Sequence, residues 1–173
     1  AKCFGINLAR LDIRQESSRH SQLIAEYVKR KHKDDYYKWN ENKKINFLSK
    51  QLKRKKNLFT NFKFKNKENN EVWSTFKTIS EQPHECLGAY VISMTSSVSD
   101  IISVSFLQKE AKIENKLRVV PLFETLDDLI NSKSIMHSLF QQNWYRKLIK
   151  NKQEVMIGYS DSSKDAGKIC ASW

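Results

Sequence analysis

The chain has 173 residues, 39% of them apolar, and only four glycines, which suits one helix-rich domain with a real core. No stretch approaches the roughly 20 consecutive apolar residues of a membrane span, and the three cysteines, Cys3, Cys86 and Cys170, have neither metal-site spacing nor the density of a stapled secreted scaffold. The formal net charge of +12 invites a nucleic-acid partner, yet of 31 Lys and Arg and 19 Asp and Glu, 15 and 3 fall between Lys29 and Lys67, leaving 16 of each elsewhere.

In chain order, residues 5–13 alternate apolar positions at Ile6, Leu8, Leu11 and Ile13, the period of a strand, then turn polar at Arg14, Gln15 and Glu16. Helical patterns follow over about 18–31, 42–54 and 67–81, a strand over 87–94, and a helix over 98–112. A strand over 117–123 ends at Glu124, with Thr125 and an acidic first turn marking a helix start. Helical segments over about 125–131 and 134–150 lead to a strand over 153–159 and a helix from near 162. In that last strand Val155 to Tyr159 read as buried on both faces. The polar cluster after it carries Asp161, Lys164 and Asp165, and serves equally as a helix start capped by Ser160 or Asp161.

Strands separated by helical patterns predict an α/β fold of parallel βα units. Four such units belong equally to half of a closed barrel or to part of a doubly wound sheet. Either architecture brings strand-end residues to one face. Both chain ends read as cuts through a longer protein, and residues 29–81 as a basic helical excursion between the first two strands. Within it, aromatic residues from Tyr36 to Phe64 could stack on bases beside lysines. Ile45, Leu48 and Leu52 recur at helical spacing, however, which turns the apolar side chains toward a core.

Glu124 and Asp161 offer two hard oxygen ligands, the kind that Mg²⁺ or Mn²⁺ takes together with water and substrate. Arg14 offers a fixed fork for a phosphate or carboxylate, and Lys164 a mobile point charge. Together they describe a site for a small phosphorylated anion. Zinc is disfavoured, because His20, His32, His84 and His137 lack HxxxH spacing. A P-loop is missing, since none of the glycines falls in GxxxxGK[ST].

Four segments, Leu11-Asp-Ile-Arg-Gln-Glu-Ser-Ser-Arg-His20, Ala89-Tyr-Val-Ile-Ser-Met94, Val120-Pro-Leu-Phe-Glu-Thr-Leu-Asp-Asp-Leu129 and Gly158-Tyr-Ser-Asp-Ser-Ser-Lys-Asp-Ala-Gly167, closely resemble phosphoenolpyruvate carboxylase in residues, order and spacing. The resemblance runs through essentially the whole chain and is weakest over the lysine-rich segment. It implies an internal fragment of the catalytic domain: part of a (β/α)8, TIM-like barrel with helical insertions, from a homotetramer; the scattered cysteines suit a reducing, cytoplasmic setting. The family joins phosphoenolpyruvate to bicarbonate with a divalent metal, giving oxaloacetate and phosphate. Carried over by motif, Glu124 and Asp161 would bind Mg²⁺ or Mn²⁺, Arg14 the substrate phosphate, and Lys164 would stand beside the reacting anions. Leu122 and Met156 would form the apolar lining, although strand-core packing accounts for them as well. Ser163 departs from the Gly or Ala more usual in the family. Another metal-dependent enolate enzyme on a similar barrel, or a basic nucleic-acid-binding module, are the alternative readings.

Overall fold

The computed structural model describes residues 9–172. Its frame is a four-stranded parallel sheet in the order β1 (Leu11–Glu16), β2 (Leu87–Ser93), β3 (Arg118–Phe123), β4 (Met156–Ile157). Each strand pairs with the next in sequence, so every connection between neighbours is a crossover containing helices. That meets the geometric need of parallel pairing. Of the first expected strand, positions 5–8 lie outside the described residues.

Between β1 and β2 run α1 (Ser17–His32), α2 (Glu41–Lys53) and α3 (Lys67–Glu81). α2 and α3 start on Asn40 and Asn66, whose side chains accept from backbone N–H groups of the first turn, satisfying donors that a helix start leaves open. α4 (Val98–Glu110) follows β2, held by a capping box of Ser97 and Asp100. Every residue of α4 but Lys109 is buried, as befits a helix enclosed on all sides. α5 (Leu126–Phe140) and α6 (Asn143–Leu148) connect β3 to β4, and α7 (Tyr159–Ala166) and α8 (Lys168–Ser172) follow.

The helix-covered face of the sheet contributes Tyr90, Ile92 and Phe123 to the main core, with Leu23, Phe76, Ile101 and Phe106 from the helices. The other face carries a small separate cluster, Ala89, Val91, Val120 and Leu122. Register pairs Arg14 with Val91, Val91 with Val120, and Leu122 with Met156. Residues in register point the same way and faces alternate along a strand. Arg14 and Met156 therefore share the face of the small cluster.

The basic segment is folded onto the core. Tyr36, Ile45, Leu48, Phe59, Phe62 and Phe64 are buried, and of the segment's aromatic residues only Tyr37 is clearly exposed, at 58%. Most of these rings are thus committed to the core, and the lysines coat the outside of a packed unit. Glu110 fastens this unit to α4, its fully buried carboxylate accepting from the backbone N–H groups of Leu58 and Phe59 and pairing with Lys109.

Three expectations need correction. β1 continues through Glu16, which pairs with Ser93, so Arg14 lies inside the strand and not after it. The last strand shrinks to two residues and is not buried on both faces: Val155 to Ile157 are exposed and Tyr159, 84% exposed, already belongs to α7. Only β3 pairs with this strand, so no further strand pairs along its outer edge among the described residues. Finally, the helix expected to break near residue 132 runs on to Phe140, and the interruption falls at Gln141 and Gln142.

Candidate active site

β1 ends next to β2, and β3 ends where Glu124 follows Phe123 directly. This is the edge where open parallel sheets and barrels hold their ligands. Glu124 is fixed on both sides of its backbone. Its N–H donates to the Asp128 carboxylate at 3.3 Å, as does that of Thr125 at 3.0 Å, while the Thr125 hydroxyl accepts from the Asp128 N–H at 3.1 Å. The expected helix start at Thr125 is thus a capping box. The Glu124 carbonyl accepts from the Ser162 hydroxyl of α7 at 2.6 Å.

The side chain of Glu124, 11% exposed, forms an ion pair with Arg14, whose side chain is 54% exposed. Two of the residues singled out by the sequence therefore touch across 110 positions. Asp161 and Lys164 form a second, looser pair at 3.9 Å within α7, both largely exposed. Neither Ser160 nor Asp161 caps α7; Gly158 holds the N-cap position and Asp161 sits inside the first turn. Leu122 is buried against Ala89, Val91 and Val120, whereas Met156, its registered neighbour, is 36% exposed.

No group of three or more His, Cys, Asp or Glu able to hold a metal ion occurs among the described residues. Two carboxylates completed by water and substrate are nevertheless a donor set that Mg²⁺ accepts, and the oxygen chemistry of Glu124 and Asp161 fits such an ion. The Ser162–Glu124 hydrogen bond joins the segments that carry them.

Sequence reasoning missed Gly158 and Ser162 in this corner, and the role of Asp165. A Cβ at position 158 would stand 3.0 Å from Cγ and 3.1 Å from Cα of Glu124, so the chain after β4 approaches Glu124 closely enough that any side chain there would force Glu124 to shift by a few tenths of an ångström. The Gly158 N–H donates to the Phe123 carbonyl at 2.9 Å. The Asp165 carboxylate accepts from the Leu126 N–H, at the start of α5, at 2.8 Å. A glycine followed by a serine-rich helix start was the available signal.

The fold and this corner define a class: a parallel α/β unit presenting charged side chains at the carboxyl ends of its strands. The sequence model of the family described as phosphoenolpyruvate carboxylase matches residues 1–173. Proteins named phosphoenolpyruvate carboxylase are similar along 99% of the chain: 46% identical over 172 residues in Proteus mirabilis (strain HI4320), 49% over 171 in Shewanella sediminis (strain HAW-EB3), and 48% over 172 in Actinobacillus pleuropneumoniae serotype 5b (strain L20). The chain belongs to the phosphoenolpyruvate carboxylase family. It spans 20% of the length of these relatives.

Proposed function

We propose that the whole protein containing this chain carboxylates phosphoenolpyruvate with bicarbonate, releasing oxaloacetate and inorganic phosphate, and so replenishes the tricarboxylic acid cycle. The observation that carries this reading is the Arg14–Glu124 ion pair at the carboxyl end of the sheet, formed by residues from two separate family motifs. The sequential strand order, without reversal among the described strands, favours a segment of a (β/α)8 barrel over a doubly wound sheet, whose order reverses at a switch point. We further propose a cytoplasmic homotetramer. No helix among the described residues is long and apolar enough to cross a membrane.

In the reaction, a bicarbonate oxygen attacks phosphorus and the bond from phosphorus to the enol oxygen breaks, giving carboxyphosphate and an enolate. Carboxyphosphate releases carbon dioxide and phosphate, and the enolate carbon then bonds to carbon dioxide. Arg14 holds the phosphoryl oxygens with its planar fork, which suits them better than a point charge. Lys164, on a flexible stem, adds positive charge near the reacting anions. Leu122 and Met156 keep water from protonating the enolate. Glu124 and Asp161 would hold Mg²⁺ or Mn²⁺, which supplies positive charge to oxygens that become more negative as the reaction proceeds. For Arg14 to serve the phosphate and Glu124 the metal, their mutual ion pair would have to open.

The test is oxaloacetate formation by the whole protein, followed by coupled reduction to malate. Dependence on both phosphoenolpyruvate and bicarbonate is expected. Release of pyruvate and phosphate without any oxaloacetate would point instead to a different enolate enzyme. The 173-residue chain alone is expected to be inactive.

A further inference from the structure

We infer that Ser162 is a positioning residue whose buried hydroxyl, together with the close approach of Gly158, locks Glu124 and Asp161 into one rigid corner. The inference rests on the reading of those two carboxylates as metal ligands. Ser162 is 1% exposed although it lies on a short helix that is mostly open to solvent. Its neighbour Ser163 donates its hydroxyl to the Tyr159 carbonyl four positions back, the usual habit of a serine within a helix. Ser162 instead reaches out of α7 to the Glu124 carbonyl at 2.6 Å.

The same corner is closed from three further directions. Gly158 packs so closely on Glu124 that an added Cβ would push it aside, and donates its N–H to the Phe123 carbonyl. Asp128 accepts from the Glu124 N–H, and Asp165 ties α7 to the first residue of α5. Asp161 directly precedes Ser162, so the bond that holds the Glu124 backbone also sets the turn bearing the second carboxylate. Groups that orient ligating carboxylates typically change metal affinity 10- to 100-fold when removed. The function of Ser162 is thus to fix two donors from different strand ends at one spacing.

The experiment uses the whole protein and Mn²⁺ alone, with free Mn²⁺ followed by electron paramagnetic resonance and folding followed by thermal melting. Ser162→Ala is expected to weaken Mn²⁺ binding by about 10- to 100-fold, with Ser162→Thr, which keeps the hydroxyl, recovering most of it. Should Ser162→Ala not fold, Gly158→Ala carries the test, and the same weakening is expected. Unchanged Mn²⁺ affinity in the variant that folds, whatever its melting temperature, would overturn the inference. Glu124→Gln separates the two levels. If it weakens Mn²⁺ binding while the positioning variants do not, only the positioning role falls; if it has no effect either, the metal assignment and the inference fall together.

Discussion

Arg14 and Glu124, one within β1 and the other just past the end of β3, form an ion pair across β2, the strand that lies between theirs. The guanidinium is half exposed and the carboxylate mostly enclosed, so the cation is the partner that can move toward an incoming anion. Arg14→Lys retains the charge but loses the bidentate fork. A raised KM for phosphoenolpyruvate in the whole enzyme, by about 10-fold or more, is expected from losing one charge-assisted hydrogen bond. Steady-state kinetics at saturating metal and bicarbonate measure it.

Asp161→Asn keeps the shape of the side chain and removes its charge. The metal concentration for half-maximal activity should rise at least 10-fold and turnover should fall, because a neutral amide is a poor ligand for a hard divalent ion. Titrating Mg²⁺ into variant and parent enzyme checks this, and an unaltered metal requirement would remove Asp161 from the ligand set.

Glu110 is the buried clasp of the basic segment, serving the N–H groups of Leu58 and Phe59. Glu110→Ala leaves both donors and Lys109 without their partner, at a cost of about 2–4 kcal/mol. The loss should be local. Hydrogen exchange in the whole protein is expected to accelerate over residues 54–64 while the sheet amides keep their protection.

His20 supplies a pH dependence. It is fully buried, shares a 2.8 Å hydrogen bond between Nε2 and the Tyr90 hydroxyl, and its Nδ1 has no hydrogen-bond partner among the described residues. Burial drives the imidazole down to about 3, against about 6.5 in an unfolded chain. Between those values the unfolded state binds the extra proton. Stability is therefore complete above about pH 6.5 and declines as the pH falls toward 3, by about 2 kcal/mol at pH 5. Thermal unfolding of the protein between pH 7.5 and 5 should show the decline, and His20→Gln should flatten it.

Much of this architecture was legible in the chain. The 67–81 helix is found at those bounds, and the strand at 87 and the Thr125 helix start fall where periodicity and capping chemistry put them. Local signals sufficed because these segments are amphipathic or capped by their own residues. What stayed hidden depends on partners distant in sequence. Gln15 and Glu16 look like the end of a strand, yet β2 continues to pair with them as far as Ser93. Val155 to Ile157 look like a buried strand, but apolar content cannot reveal that only one side has a neighbour. Leu122 and Met156 carry the same apolar signal and differ in exposure for the same reason. In the site, residue types exposed the candidate charges, whereas the Ser162 hydroxyl finds its acceptor 38 positions away. Nothing in a serine-rich helix start says which hydroxyl leaves its own helix.

The most direct test of the central claim is anomalous diffraction from crystals of the whole protein grown with Mn²⁺. The account predicts one strong peak about 2.1 Å from carboxylate oxygens of both Glu124 and Asp161, with Arg14 turned away from Glu124. An active enzyme whose manganese peak lies elsewhere, with the Arg14–Glu124 pair intact, would contradict it.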